Sequence, residues 1–303
     1  MKSFLNHFKV AIAIFLFFCF CTGCSQNEHN SKRITVSFYP IYVATLNLVK
    51  GLNLEAANIS GTHSGCLHDF VLQVEDMKKI EKSSVFIING ANMEPFMTKI
   101  TSEIPKIKII DSSQGIPLIE DRSSHNHGNK EHEHGKNPHI WLSVKNHIKQ
   151  VQNISKGLRE AFSENSEKIC ENEKEYIEKL NKLDSDGEAQ LKDIKDKNVV
   201  TFHSAFDYFA SDYGLKVICS VDYEPNVELS AKKIAKTVQK IKDFNVRYLI
   251  VETNYSGNSA QAIAKETNAK ILFLNPITCG ENEPESYLTA MRENFKELAS
   301  KLN

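Results

Sequence analysis

The sequence predicts an α/β protein of two similar lobes, each a four-stranded, mostly parallel sheet flanked by helices, with one long rigid helix joining them. Three observations predict it. Short apolar, β-branched runs alternate with amphipathic segments, the pattern of α/β units. The alternation occurs twice, once in each half of the chain. Between the halves lies the longest helical pattern, dense in charge of both signs.

The chain opens on a leader. Lys2 and Lys9 give a positive start, Val10 to Phe20 is an apolar run, and Thr22-Gly23 precede Cys24. That is a secretory signal, too short to span a membrane. Cys21-Thr22-Gly23-Cys24 has the form of a bacterial lipobox, so Cys24 is the expected lipidated first residue. The address this implies is the extracytoplasmic face of the cell membrane, lipid-anchored. Ser25 to Lys32 then forms a polar tether.

In the first half the expected strands are Ile34–Phe38, Ala56–Ser60, Val85–Asn89 and Ile107–Asp111. Tyr42–Lys50, Glu75–Lys82 and Pro95–Ile100 read as the helices between them. In the second half the strands are Val199–Thr201, Lys216–Ser220, Tyr248–Glu252 and Lys270–Leu274. Its helices are Ala205–Tyr213, Ser230–Phe244, Asn258–Thr267 and Pro284–Leu302, with Ser230 as an N-cap and Gly214 just past a helix end. The spine comprises Val144–Phe162 and Ser166–Ile194, the second on the order of 40 Å long if unbroken. Gly187 weakens it by roughly 1 kcal/mol relative to alanine and marks where it would bend or stop. The expected division is a signal peptide over 1–23, a tether over 24–32, an N-terminal lobe over 33–143 with a His-rich loop at 123–137, a linking helical segment over 144–195 and a C-terminal lobe over 196–303.

Thirty-seven basic residues nearly balance thirty-eight acidic ones, so nothing favours nucleic acid or a membrane surface as partner. A monomer is expected. Beyond Cys24 the cysteines are Cys66, Cys170, Cys219 and Cys279; an extracytoplasmic location permits disulfides, and the three pairings stay open.

Histidines carry the chemistry. Ser124 to Gly135 holds His125, His127, His132 and His134 with two glutamates, a tract too polar to fold alone and suited to accessory metal capture. Three single histidines stand apart: His68, His139 and His203. His68 follows the second expected strand and His203 the first strand of the second lobe, where ligands bind open α/β sheets. His139 comes from the connection into the spine, where the lobes meet. Their convergence would make a metal site in the interlobe cleft. Glu252 ends a strand nearby, placed to hydrogen-bond a ligand imidazole or to form an ordinary ion pair. Trp141 reads as core beside His139, and His147, within the spine, as solvated.

Taken in order, Ser37-Phe38-Tyr39-Pro40, His68-Asp69-Phe70, Asn89-Gly90 with Met93-Glu94-Pro95-Phe96, Pro138-His139-Ile140-Trp141-Leu142 and Phe202-His203-Ser204-Ala205-Phe206-Asp207-Tyr208-Phe209 resemble the zinc- and manganese-binding receptors of bacterial ABC metal importers. The resemblance covers nearly the whole mature chain. It implies two lobes joined by a long helix, a metal between them held by His68, His139 and His203, and an ABC permease as partner. The His-rich insertion matches the zinc-type branch.

At the fourth position the chain departs from that pattern. Members commonly supply an aspartate in an Asp-Pro pair, or a glutamate a few residues on; Leu274-Asn275-Pro276-Ile277-Thr278 has an amide and a hydroxyl there. The open donors are water first, then Asn275 through its carbonyl oxygen, or a tract histidine. Cys66 and Cys279 offer a thiolate alternative, against a disulfide or buried thiols. Zinc accepts three histidines and water, whereas manganese prefers carboxylate oxygens and is the disfavoured cargo.

The reading is a zinc receptor, not an enzyme. A zinc-dependent hydrolase on the same three histidines is the alternative, though no His-Glu-x-x-His occurs to supply its general base. A surface adhesin stabilised by metal is the other; there, removing the ion should unfold the domain.

Overall fold

The computed structural model describes residues 32–61, 65, 67, 70–121, 135–221, 229–255 and 257–302. The leader with Cys24, the residues Cys66 and His68, and His125, His127, His132 and His134 lie outside the described residues.

Lys32–Val36 forms β1, and Pro40 starts α1 (Tyr39–Leu48). Proline in a first helical turn needs no backbone N–H partner and already has a helical φ, so the helix begins three residues before its expected start. β2 (Leu54–Asn58), α2 (Val74–Glu81), β3 (Val85–Ile88), α3 (Met97–Glu103) and β4 (Lys108–Asp111) complete the first lobe. The spine is α4 (Val144–Ala161) and α5 (Ser166–Leu191), linked by a 3-10 turn. β5 (Asn198–Thr201), α6 (Asp207–Asp212), β6 (Lys216–Ser220), α7 (Ala231–Asp243), β7 (Tyr248–Glu252), α8 (Asn258–Thr267), β8 (Lys270–Leu274) and α9 (Ser286–Leu302) follow. The expected N-cap at Ser230 is present, its hydroxyl accepting from Lys233 N.

Both sheets are wholly parallel and share one order: β2-β1-β3-β4 and β6-β5-β7-β8. Each therefore reverses direction between its first and third strands, the crevice where open α/β sheets bind ligands.

The 26-residue α5 is continuous through Gly187. A Cβ there would lie 2.5 Å from Phe295 of α9, so the glycine is where the last helix presses on the spine. The expected bend is absent because this packing outweighs the propensity cost. Buried side chains of both lobes and the spine, among them Ile34, Ile87, Ile154, Tyr176, Leu183, Phe209 and Phe295, form one continuous core. The outer face of each sheet has a smaller core of its own. Among the described residues no helix is long and apolar enough to cross a membrane.

Candidate metal centre

Two of the three histidines meet. His139 precedes a short 3-10 turn leading into the spine, and His203 lies two residues beyond β5. Their ring centroids stand 4.6 Å apart, nearly perpendicular. His139 is buried, and its ring lies 5.3 Å from that of Trp141. His68 lies outside the described residues, and among those described no group of three His, Cys, Asp or Glu side chains is placed to hold an ion.

Each imidazole is oriented through Nδ1. His203 Nδ1–H donates to Glu252 Oε1 at 2.6 Å, the hydrogen bond that the end of β7 offered in the sequence. A carboxylate only accepts, so the contact places a proton on Nδ1. His139 Nδ1–H donates to Asn137 Oδ1 at 2.8 Å. The amide's orientation is fixed by its other contacts: Oδ1 also accepts from His139 N at 3.0 Å, while Nδ2 donates to Ser204 O at 2.8 Å. One buried side chain thus orients His139 and grips the backbone beside His203. The sequence reading did not single out Asn137; its place two residues before a candidate ligand was the available signal. With Nδ1 held in this way, Nε2 is the ring atom through which either imidazole would coordinate an ion.

Around these rings runs a buried polar chain. Glu94 accepts from Ser37 Oγ (2.7 Å), Asn89 N (2.7 Å) and Gly90 N (3.1 Å), and burial pushes its carboxyl up to about 7. Asn89 Nδ2 donates to Pro138 O (3.1 Å), next to His139, and Gln150 Nε2 donates to Asn89 Oδ1 (3.0 Å). Gln150 Oε1 faces His147 Nδ1 at 3.3 Å. His147 is fully buried, against the expectation of a solvated side chain, and stacks on Tyr287 at 3.9 Å. Burial holds its pKa down at about 4, so the ring is neutral. Tyr287 Oη donates to Trp141 O (2.7 Å), and Trp141 Nε1 donates to Pro276 O (2.9 Å).

That last bond leads to the fourth position. Asn275 Oδ1 accepts from Ile277 N at 2.7 Å, and Asn294 clamps the Asn275 main chain at both N (2.7 Å) and O (2.9 Å). The turn holds Ile277 at φ 56°, a conformation a β-branched residue adopts at a cost of about 1–3 kcal/mol. Asn275 lines a cleft of about 450 Å³ with Tyr39, Cys279, Glu281, Glu285 and Glu293, while Thr278 is buried. Cys170 and Cys279 carry free thiols; burial pushes Cys279 up, away from the thiolate that would bind zinc.

A family model described as zinc-uptake complex component A, periplasmic, matches residues 34–301. The zinc-binding protein AdcA of Streptococcus pyogenes is 34% identical over 288 residues, which cover 88% of this chain and 55% of that protein. The chain spans about half the length of the AdcA relatives it matches. The high-affinity zinc uptake system protein ZnuA of Bacillus subtilis is 29% identical over 92% of this chain and 90% of its own length. Among solved structures, the Zn(II)-bound ZnuA-like domain of Streptococcus pneumoniae AdcA matches with a TM-score of 0.75 and 28% identity, covering 90% of this chain and 99% of that one.

Proposed function

The chain belongs to the family of periplasmic zinc-uptake complex component A proteins, and from that premise we propose that it captures zinc outside the cytoplasm and delivers it to the permease of an ABC importer. The observation that carries this reading is the pair His139 and His203, held 4.6 Å apart with both Nδ1 atoms engaged. Two imidazoles oriented in this way bring nitrogen donors together, the chemistry zinc selects. His68 is proposed as the third ligand. The fourth is water, because the Asn275 oxygen is already taken by Ile277 N. Binding of this kind is reversible coordination with no reaction. An uptake component needs no general base, which favours the receptor over a three-histidine hydrolase.

Lipid attachment at Cys24 would keep the receptor beside its permease on the outer face of the membrane, acting as a monomer. The domain division stated from the sequence, with its tether over 24–32, is retained as part of this proposal. His125, His127, His132 and His134 would collect further ions near the cleft, raising their local concentration.

Zinc titration of the purified chain tests the proposal. One tight zinc ion is expected, lost in each of His68→Ala, His139→Ala and His203→Ala; full affinity in all three variants would overturn it. Removing His125–His134 should lower the number of weakly held ions and spare the tight one.

A further inference from the structure

We propose that Glu252 supplies the negative charge that offsets the bound zinc ion, delivering it through the His203 imidazole in place of a carboxylate on the ion itself. The proposal rests on the zinc-receptor reading. Three neutral imidazoles and a water leave a divalent ion with its full charge. At the position where an acid would sit, Asn275 is neutral and its oxygen is committed to Ile277 N at 2.7 Å. No acid among the described residues joins His139 and His203 as a third member of a metal group.

Glu252 is the carboxylate nearest in line. Its Oε1 lies 2.6 Å from His203 Nδ1, its side chain is 3% exposed, and no lysine or arginine among the described residues pairs with it. Its charge is therefore neither screened by water nor spent on another cation. A carboxylate accepting from one ring nitrogen makes the opposite nitrogen a stronger donor, so the charge reaches the ion across the ring. At His139 the group facing Nδ1 is instead the uncharged amide of Asn137. Glu94, the buried acid of the other lobe, is occupied by Ser37, Asn89 and Gly90.

Strand order builds the pair into the sheet. Glu252 ends β7 and His203 follows β5, its neighbour, so the two side chains meet without help from a long loop. Such a site offers the ion nitrogen donors with a carboxylate one ring behind. Zinc tolerates that; manganese, which favours oxygen in direct contact, does not. Glu252 is thus a positioning and selectivity residue.

Two substitutions separate charge from geometry. Glu252→Gln keeps the volume and the hydrogen-bond acceptor but removes the charge; Glu252→Asp keeps the charge and shortens the reach. Zinc affinity, read by competition with a chromophoric chelator, should fall about 10–100-fold in Glu252→Gln and less in Glu252→Asp. Imidazole nitrogen shifts should still report a proton on His203 Nδ1 in Glu252→Gln, and its metal-free melting should stay cooperative. A Glu252→Gln protein that binds zinc as tightly as the parent overturns the proposal. So does one that no longer melts cooperatively, because the carboxylate would then serve the fold. If the parent itself takes up no zinc, the receptor reading fails instead.

Discussion

Asn137 shows how much one side chain can settle. It accepts from His139 twice and donates to Ser204 O, and its own carbonyl accepts from Tyr208 Oη at 2.8 Å. Asn137→Asp preserves the bond to His139 but turns a second oxygen towards the Ser204 carbonyl. Two facing acceptors should cost about 1–3 kcal/mol, measured by urea unfolding of the metal-free protein, with weaker zinc binding alongside. Buried titratable residues give opposite pH signatures. An unfolded His147 takes a proton near its ordinary 6.5 that the folded ring refuses until about 4, so stability falls as pH drops through that window. Folded Glu94 keeps its proton up to about 7, against 4.5 unfolded, so the stability it contributes in acid is lost as pH rises towards 7. Each unit of such a shift is worth on the order of 1 kcal/mol. Melting temperature against pH should lose its acid limb in His147→Phe and its near-neutral limb in Glu94→Gln; unchanged profiles would contradict this assignment. His203 stood out in the sequence by its place after a strand and His139 by its place in the connection into the spine. The burial of His147 did not, because the Tyr287 ring that covers it lies 140 positions downstream on α9.

At the scale of elements, periodicity located every strand and α-helix of the described residues, usually to within three residues. Boundaries moved where local chemistry intervened, as at Pro40. Gly187 was legible as a weak point and illegible as a contact, since Phe295 is remote in sequence. Gly187→Ala should gain up to about 1 kcal/mol of helix propensity and lose about 1–3 kcal/mol to overpacking. Net destabilisation is the expected outcome by chemical denaturation, with partial recovery in the double variant carrying Phe295→Leu. A stabilised single variant would show that the helices yield easily at this point.

The whole molecule has one core running through both lobes and the spine. Direct bonds between the lobes reinforce it, including Asn47 Nδ2 to Pro284 O (2.8 Å) and Tyr39 Oη to Glu281 O (2.7 Å). A body joined in this way should not close around its ion like two jaws. Small-angle scattering with and without zinc should give radii of gyration that agree to within about 1 Å; a larger contraction would mean that the core parts. The sequence announced two like halves, and the two sheets share one strand order. It did not reveal how Asn275 is used, because that depends on a turn closed by its own side chain and clamped by a helix 19 residues on.

Trp141 is the chain's sole tryptophan, and its indole touches both the strap at Pro276 and the neighbourhood of His139. Light emitted on excitation near 295 nm (roughly the red edge where tyrosine no longer absorbs) therefore has a single origin, beside the His139 ring and fully shielded from solvent. Spectroscopists seldom receive such an address free of background. Any quenching or colour change upon loading can be ascribed to one indole, with no label attached.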